Sequence, residues 1–427
     1  MRLEALFERH RSVQTAGFGS DAYKPGLEAM RDYASFLGNP QEKLRCIVHV
    51  AGTNGKGSVS SMLAAALSSQ GLKTALYTSP HLVDFRERMK IVCGGTFRMI
   101  PEEYVCRFLD EKDRDGLSFF EITTGLAFAW FASENVDAAV IETGLGGRLD
   151  STNIIVPSLS VITSIGLDHC ALLGSTRAEI AAEKAGIFKP GVPALVWGRD
   201  AETAPVFERI AASVGAPLHF AEDFPLPDDC PPVSGLDIAG PFSGQNLRTV
   251  AAALSLLDSE RPAAQNLPAG RHCAGGITAV AHAARITGLR GRWEQLSDSP
   301  TVICDIGHNP QALEASFAKL RDMAGGRRLL VVYGVMADKD IDSIARLFPR
   351  EAEYFLVAPD TPRALPVEAL ALKLKSFAAC GCASVGDGVQ KAMERAAELS
   401  SRGLESLIFI GGSTFVVSEA MIYLECL

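Results

Sequence analysis

Val48-His49-Val50-Ala51-Gly52-Thr53-Asn54-Gly55-Lys56-Gly57-Ser58 is the stretch on which the reading of this chain turns. Ahead of it, residues 46–50 are apolar and β-branched, the pattern of a buried strand. Behind it, residues 59–67 are small, apolar and free of Gly and Pro, the pattern of a helix. Between them lies a Gly-rich turn with a Lys and a Ser. A strand that feeds such a turn into a helix aims backbone N–H groups and the positive end of the helix at one point. The Lys adds charge there, and the hydroxyl can reach a magnesium ion. The usual pattern is G-x-x-x-x-G-K-[ST]; here Gly57 separates Lys56 from Ser58. The stretch predicts a phosphate cradle made of Gly52, Thr53, Asn54, Gly55, Lys56, Gly57 and Ser58, with a plain tight turn as the alternative.

The composition sets the class around that loop. At 427 residues the chain is long for one core and predicts two domains. Charged residues at 21% and hydrophobic ones at 47% are globular usage, which argues against disorder. A net charge of −9 disfavours a nonspecific nucleic-acid binder. No apolar run approaches membrane-spanning length, and the charged start Met1-Arg2-Leu3-Glu4-Ala5-Leu6-Phe7-Glu8-Arg9 reads as helix rather than signal peptide. Ten scattered Cys without a C-x-x-C pair predict reduced thiols in the cytoplasm; Cys380 and Cys382 flank a Gly, a weak metal signal.

Strand and helix patterns alternate from Cys46 onward. This predicts an α/β fold, with a mostly parallel P-loop-type sheet first and a smaller Rossmann-like α/β domain after it. The boundaries read as 1–287, a Gly/Arg-interrupted linker at 288–292, and 293–427. Ahead of the phosphate loop, residues 17–26 form an irregular loop with Phe18 and Tyr23. Ligands of open α/β sheets bind beyond the carboxyl ends of the strands. Ser79, after strand 74–78, falls on that rim. Glu142, ending strand 137–141, is a carboxylate at a buried strand tip, the usual place for a magnesium ligand. The Gly run beside it suggests a close backbone approach. His169 follows strand 159–165, and Lys184 sits near the end of helix 177–185. Glu121 near a helix start also suits the helix dipole. Residues 197–232 read as a peripheral hairpin and helix, Asn246 as a cap of helix 247–257, 258–276 as loop, and 277–287 as helix. In the last part, strands are predicted at 301–306, 328–335, 354–358 and 407–410, with a short one near 383–385. Asp305-Ile306-Gly307-His308-Asn309-Pro310 and the segment from Gly334 to Asp340 are polar strand-to-helix corners.

Taken together these motifs resemble the folylpolyglutamate synthase/dihydrofolate synthase family within the Mur ligase superfamily. The resemblance rests on the variant loop with Gly57, Thr78-Ser79-Pro80-His81-Leu82, Glu142 with Gly144-Leu145-Gly146-Gly147-Arg148-Leu149-Asp150, Asp168-His169, Glu183-Lys184-Ala185-Gly186, and Asp305 with His308-Asn309-Pro310. They occur in the family's order and span nearly the whole chain. Departures are Phe242-Ser243 ahead of the Asn, Ile306-Gly307 before His308, Thr143, and Cys170 after His169.

The resemblance implies an ATP-dependent ligase that joins L-glutamate to dihydropteroate, to a folate, or to both, through an acyl phosphate. It implies that Lys56 and its loop hold the ATP phosphates, and that Ser58, Ser79, Glu142, His169 and Lys184 ligate magnesium at two sites. Lys184 corresponds to a lysine carbamylated in the superfamily. Asn246, Arg292 and Asp305 would contact the nucleotide, and His308 would lie near the γ-phosphate. Ser118, Phe119, Phe120, Glu121, Leu149, Asp150 and Ser151 match segments lining the pteroate pocket. The two domains would close over ATP. No nucleic acid, membrane or partner chain is implied, and a monomer is expected. Three alternatives compete. A Mur-type ligase acting on a cell-wall precursor needs an N-terminal domain, but the loop begins after only ~50 residues. A guanine-nucleotide switch lacks its N-K-x-D reader. A non-catalytic scaffold would not keep every ligand.

Overall fold

The computed structural model describes residues 6–7, 9–10, 26–259 and 272–426. Most of the helix expected over 1–9, the loop over 17–26, and the loop over 258–276 lie outside the described residues. The chain divides into two compact units, Met1–Leu289 and Arg290–Leu427.

The first unit holds β1 (Ile47–Ala51), β2 (Thr74–Tyr77), β3 (Met89–Cys93), β4 (Thr96–Met99), β5 (Ala138–Glu142), β6 (Leu159–Ile162), β7 (Ala194–Val196) and β8 (Leu218–Phe220). Their order across the sheet is β4-β3-β2-β5-β1-β6-β7-β8. From β2 to β8 every pair is parallel, and β3 and β4 add an antiparallel edge. Period-2 alternation splits the core between the faces. Val48, Val50, Val140 and Val161 pack on the side of helices Lys56–Ser69 and Ser243–Ser259. Ile47, Ala139, Ile141 and Tyr77 pack with helix Phe119–Ser133. Both faces are covered, so the central strands are wholly buried and read as continuous apolar runs.

Three expectations change here. Residues 197–232 hold the expected helix but no hairpin. Helix Ala204–Val214 ends at Gly215 with φ +73°, and β8 then runs parallel to β7. An intervening helix returns the chain to the same sheet edge in a parallel sense. Helix Ser243–Ser259 starts earlier than expected, so Asn246 is inside its first turn and its N–H already bonds Phe242 O at 2.9 Å. Residues 277–287 begin as a 3-10 helix, Ala274–His282, before a short α-helix, Ala283–Thr287. Gly276 lies so close to helix Lys56–Ser69 that a Cβ would sit 2.2 Å from Ala66 O.

The second unit has β9 (Glu294–Asp298), β10 (Thr301–Asp305), β11 (Arg328–Tyr333), β12 (Glu353–Leu356), β13 (Ala378–Gly381) and β14 (Ser406–Gly411), ordered β13-β12-β11-β14-β10-β9. Only the β9–β10 pair is antiparallel. β9 escaped sequence reading because its half-exposed edge position leaves it polar. The strand expected near 383–385 lies earlier, at β13. Ser384 instead caps helix Val385–Ser401, its Oγ accepting from Asp387 N. Arg290, in the expected linker, pairs with Glu294 and Glu425 of this unit. Cys380 and Cys382 join no three-ligand metal cluster among the described residues. No helix among them is long and apolar enough to cross a membrane.

Candidate active site

The sheet order brings four strand ends together. β2, β5, β1 and β6 are parallel neighbours, so Ser79, Glu142, the 52–58 loop and His169 follow the carboxyl ends of four adjacent strands. The loop is held from β6. Thr53 N–H donates to Ser164 O at 2.7 Å and Asn54 N–H to Ser164 Oγ at 3.2 Å. Thr163 Oγ1 donates to Asn54 O at 2.8 Å. Sequence alone does not mark Thr163 and Ser164 as loop braces; their one signal is a pair of hydroxyls where an apolar strand ends. Gly52 at φ +152° and Gly55 at φ +91° are required. A Cβ on Gly52 would lie 1.8 Å from Thr163 Oγ1, and one on Gly55 2.5 Å from Asn246 Oδ1. Asn246 therefore faces the loop, although it does not cap its helix. Lys56 folds back, its Nζ 3.1 Å from Gly52 O and 3.3 Å from Thr53 O. Ser58 is buried in the first turn of helix Lys56–Ser69.

Lys184 reaches the same loop. Its Nζ donates to Gly52 O at 2.8 Å from a side chain that is 4% exposed. Burial pulls its pKa from the ordinary 10.5 to about 7, and Lys56 pushes the same way, against Asp168 and Asp150. The Gly run after Glu142 explains how this helix sits. A Cβ on Gly147 would lie 2.7 Å from Lys184 O, and one on Gly186 2.3 Å from Arg148 Cβ. Gly144 makes room for the Phe120 ring. The close approach expected from these glycines is thus to the protein's own helix and ring.

Glu142 is 2% exposed, and its Oε2 lies 3.4 Å from Ser79 N. The turn carrying Ser79 continues to His81, whose Nδ1 accepts from Arg88 Nε at 2.8 Å. Burial, with the Arg88 charge, lowers the His81 pKa to about 3, so that ring is neutral. His169 occupies a left-handed backbone conformation at φ +52°, its N–H bonded to Asp168 Oδ1 at 2.9 Å. A non-Gly residue there stores strain, as functional residues often do.

The segments matched to a pterin pocket spend much of their polarity on the fold. Ser118 and Glu121 form a capping box: Glu121 Oε2 accepts from Ser118 N at 2.7 Å and from Ser118 Oγ at 2.8 Å. Asp150 takes Leu145 N at 2.8 Å and Thr152 N at 3.0 Å, and burial raises its pKa. Phe119 and Ser151 are buried, and Phe120 is half-buried 6.1 Å from the Tyr77 ring. Leu149 is half-buried as well.

In the second unit, Asp305 ends β10 and takes Gly307 N at 2.8 Å and Trp293 N at 3.0 Å. Burial raises its pKa, opposed by those amides and by Arg292 and His308 nearby. His308 Nδ1 lies 3.1 Å from Ile306 O, and Asn309 caps helix Pro310–Ala324 through Ala312 N. The other polar corner spends its acids on the fold. Asp340 caps helix Ile341–Ala345 and Asp338 pairs with Arg363.

The residue types along this rim fit a hard divalent cation: the buried Glu142 carboxylate, the hydroxyls of Ser58 and Ser79 and the His169 imidazole. Lys184 as an ammonium does not fit one.

Family models match in two places, the Mur ligase middle domain over residues 50–216 and the Mur ligase glutamate ligase domain over 291–414. The dihydrofolate synthase/folylpolyglutamate synthase of Bacillus subtilis is 31% identical over 93% of this chain and 94% of its own length. The chain belongs to the folylpolyglutamate synthase/dihydrofolate synthase family. Membership carries the enzyme class, an ATP-dependent amino-acid ligase, and favours it over the cell-wall alternative. A probable bifunctional folylpolyglutamate synthase/dihydropteroate synthase of Halobacterium salinarum is 32% identical over 93% of this chain, which spans 49% of that relative. Among solved structures of the family, FolC of E. coli in complex with DHPP and ADP has TM-score 0.79 and 28% identity, covering 99% of this chain and 97% of that one. A bifunctional folylpolyglutamate synthase/dihydrofolate synthase with Mn, AMPPNP and L-glutamate bound has TM-score 0.74 and 27% identity, covering 94% and 95%.

Proposed function

We propose that this chain adds L-glutamate to dihydropteroate, to (poly)glutamylated folates, or to both, with ATP converted to ADP and phosphate, acting as a cytoplasmic monomer. The observation that carries the reading is the four-strand rim with the braced 52–58 loop, Glu142 and Lys184. In this reading unit 1 binds ATP and pterin, and unit 2 is the glutamate ligase domain. The acceptor carboxylate attacks the γ-phosphorus and ADP leaves. The α-amine of glutamate then attacks the acyl carbon, phosphate leaves, and the amine gives up a proton.

The work of the chain is placement and charge neutralisation. Within the turn from Gly52 through Thr53 and Asn54 to Ser58, the amides at Gly55, Lys56 and Gly57 at the head of helix Lys56–Ser69 and the Lys56 ammonium orient the phosphates, and Asn246 flanks them. Ser58, Ser79, Glu142, His169 and a modified Lys184 would hold magnesium at two sites. Magnesium would supply Lewis-acid stabilisation of charge on the transferring phosphoryl group. With a pKa of about 7, Lys184 is a substantially neutral amine at physiological pH. Such an amine adds to carbon dioxide, losing a proton and gaining an anionic carbamate. Arg292 and His308 are assigned to the nucleotide, with His308 nearest the γ-phosphate, and Asp305, engaged by the Gly307 and Trp293 amides, is assigned the shape of that corner. Ser118, Phe119, Phe120, Glu121, Leu149, Asp150 and Ser151 are assigned to the pterin. Because Glu121 and Asp150 are engaged by backbone amides, we assign them the shape of that pocket first.

The deciding experiment is ADP release by the purified chain with MgATP, L-glutamate and either dihydropteroate or tetrahydrofolate. Release with one or both is expected, and which pterin supports it names the acceptor. No release with either overturns the folate assignment.

A further inference from the structure

One buried arginine stands outside every role assigned so far. Arg88 is 3% exposed and closes the 3-10 turn Phe85–Arg88 ahead of β3. The antiparallel register pairs Tyr77 with Met89 and so sets Arg88 opposite Thr78. Arg88 O accepts from Thr78 N at 3.0 Å, while its Nε donates to His81 Nδ1 at 2.8 Å. One residue thus grips both ends of Thr78-Ser79-Pro80-His81. Its neighbour Glu87 holds the next limb, accepting from Leu82 N, Val83 N and Asp84 N at 2.8–2.9 Å. The turn leaves Ser79 N 3.4 Å from Glu142 Oε2. The guanidinium lies 5.3 Å over the Phe119 ring, which restricts its rotation, and Glu142 and Glu87 supply the negative charge around it.

A buried guanidinium is costly unless it is bonded and balanced by charge. A turn needing only to change chain direction has no use for one. Its fixed fork can meet a neutral imidazole and a nearby carboxylate together, which an ammonium cannot do from the same position. We propose that Arg88 is a positioning residue for the metal site, fixing Ser79 and the Glu142 carboxylate through the Thr78–His81 turn. The inference rests on the ligase reading, specifically on Ser79 and Glu142 as metal ligands.

The test uses the full chain and two bindings: Mn2+ in the presence of AMPPNP, read from the paramagnetic resonance of free Mn2+, and AMPPNP alone in EDTA. Arg88→Gln is expected to weaken Mn2+ about 10–100-fold, the range for losing a partner that orients a metal ligand. AMPPNP binding in EDTA stays within about twofold, because the 52–58 loop is braced from Thr163 and Ser164 instead. Arg88→Lys does not rescue Mn2+ binding. His81→Ala, which keeps the charge but removes the acceptor, weakens Mn2+ in the same direction. A purely structural role would lower both bindings together, and that result overturns the proposal. So does wild-type Mn2+ affinity in Arg88→Gln or in Arg88→Lys. If Arg88→Gln does not fold, His81→Ala decides by the same split: Mn2+ weakened alone supports the proposal, and unchanged Mn2+ overturns it. Glu142→Gln separates the two levels. If it loses Mn2+ while the Arg88 and His81 variants keep it, the positioning role alone fails. If it keeps Mn2+, the ligand assignment and the inference fall together.

Discussion

β5 and β10 both end in an acid at the tip of a parallel strand, yet the two carboxylates are used differently. Asp305 is short. One of its oxygens takes the N–H two residues on, Gly307, and the other takes Trp293 N. This is the habit of Asp after a strand, satisfying the turn it begins. Glu142 is one methylene longer and projects past its own turn, to within 3.4 Å of Ser79 N on the neighbouring chain segment. The lesson is that a carboxylate at a strand tip can be a ligand or a scaffold, and side-chain reach helps decide which. The same contrast separates Lys184, an amine aimed at the 52–58 loop, from Glu121 and Asp150, whose oxygens hold backbone amides.

The sharpest way to break this comparison is Glu142→Gln. If Glu142 is a ligand, ADP release falls by more than about 10³-fold while the melting temperature stays near wild type. A large loss of stability with residual activity would make it a scaffold like Asp305. The complementary change, Asp305→Ala, leaves two backbone N–H groups without their acceptor. Chemical denaturation should show about 1–3 kcal/mol lost from the second unit. An unchanged transition would remove the scaffold reading.

Unmodified Lys184, in carbon-dioxide-free buffer, gives a pH test. Folded, it releases its proton near pH 7, and unfolded near its ordinary 10.5, so the unfolded state binds more protons between those values. Stability should therefore rise with pH across that window. Lys184→Met should flatten the rise relative to wild type, which urea melts at several pH values would show. Equal slopes would mean that the buried amine is not depressed. The smallest expected effect is at the pterin-side cap. Ser118→Ala removes an N-cap hydroxyl and should cost about 1 kcal/mol in thermal unfolding. No measurable cost would free Ser118 and Glu121 for a direct role with substrate.

The α/β class, the strand–loop–helix at 46–67 and most other elements were legible because buried parallel strands read as apolar runs and the helices between them carry period and caps. β9 and β8 were not, since one is a polar edge strand and the other is three residues long. The site was legible wherever a residue's type is unusual for its position: Gly52, Gly55 and Lys56 in a turn, Glu142 at a strand tip. Arg88, Thr163 and Ser164 gave no such signal, because an arginine before a strand and a Thr-Ser pair after one are commonplace.

By itself, the sequence determined the alternating fold, the strand–loop–helix at the Gly-rich turn and the family to which its motifs belong, because these follow from local periodicity and residue type. Tertiary structure decided which polar groups remain for chemistry. Glu121 and Asp150 are drawn into helix caps, Asp305 is engaged by the Gly307 and Trp293 amides, Gly147 serves the seat of the Lys184 helix, and the 52–58 loop is held from the neighbouring strand end. A hydrogen bond is a claim by one partner on another, and the partners can lie far apart in sequence, as Gly52 and Lys184 do at 132 positions. Spacing along a chain cannot reveal which distant amide will claim an oxygen; only packing brings the two within reach.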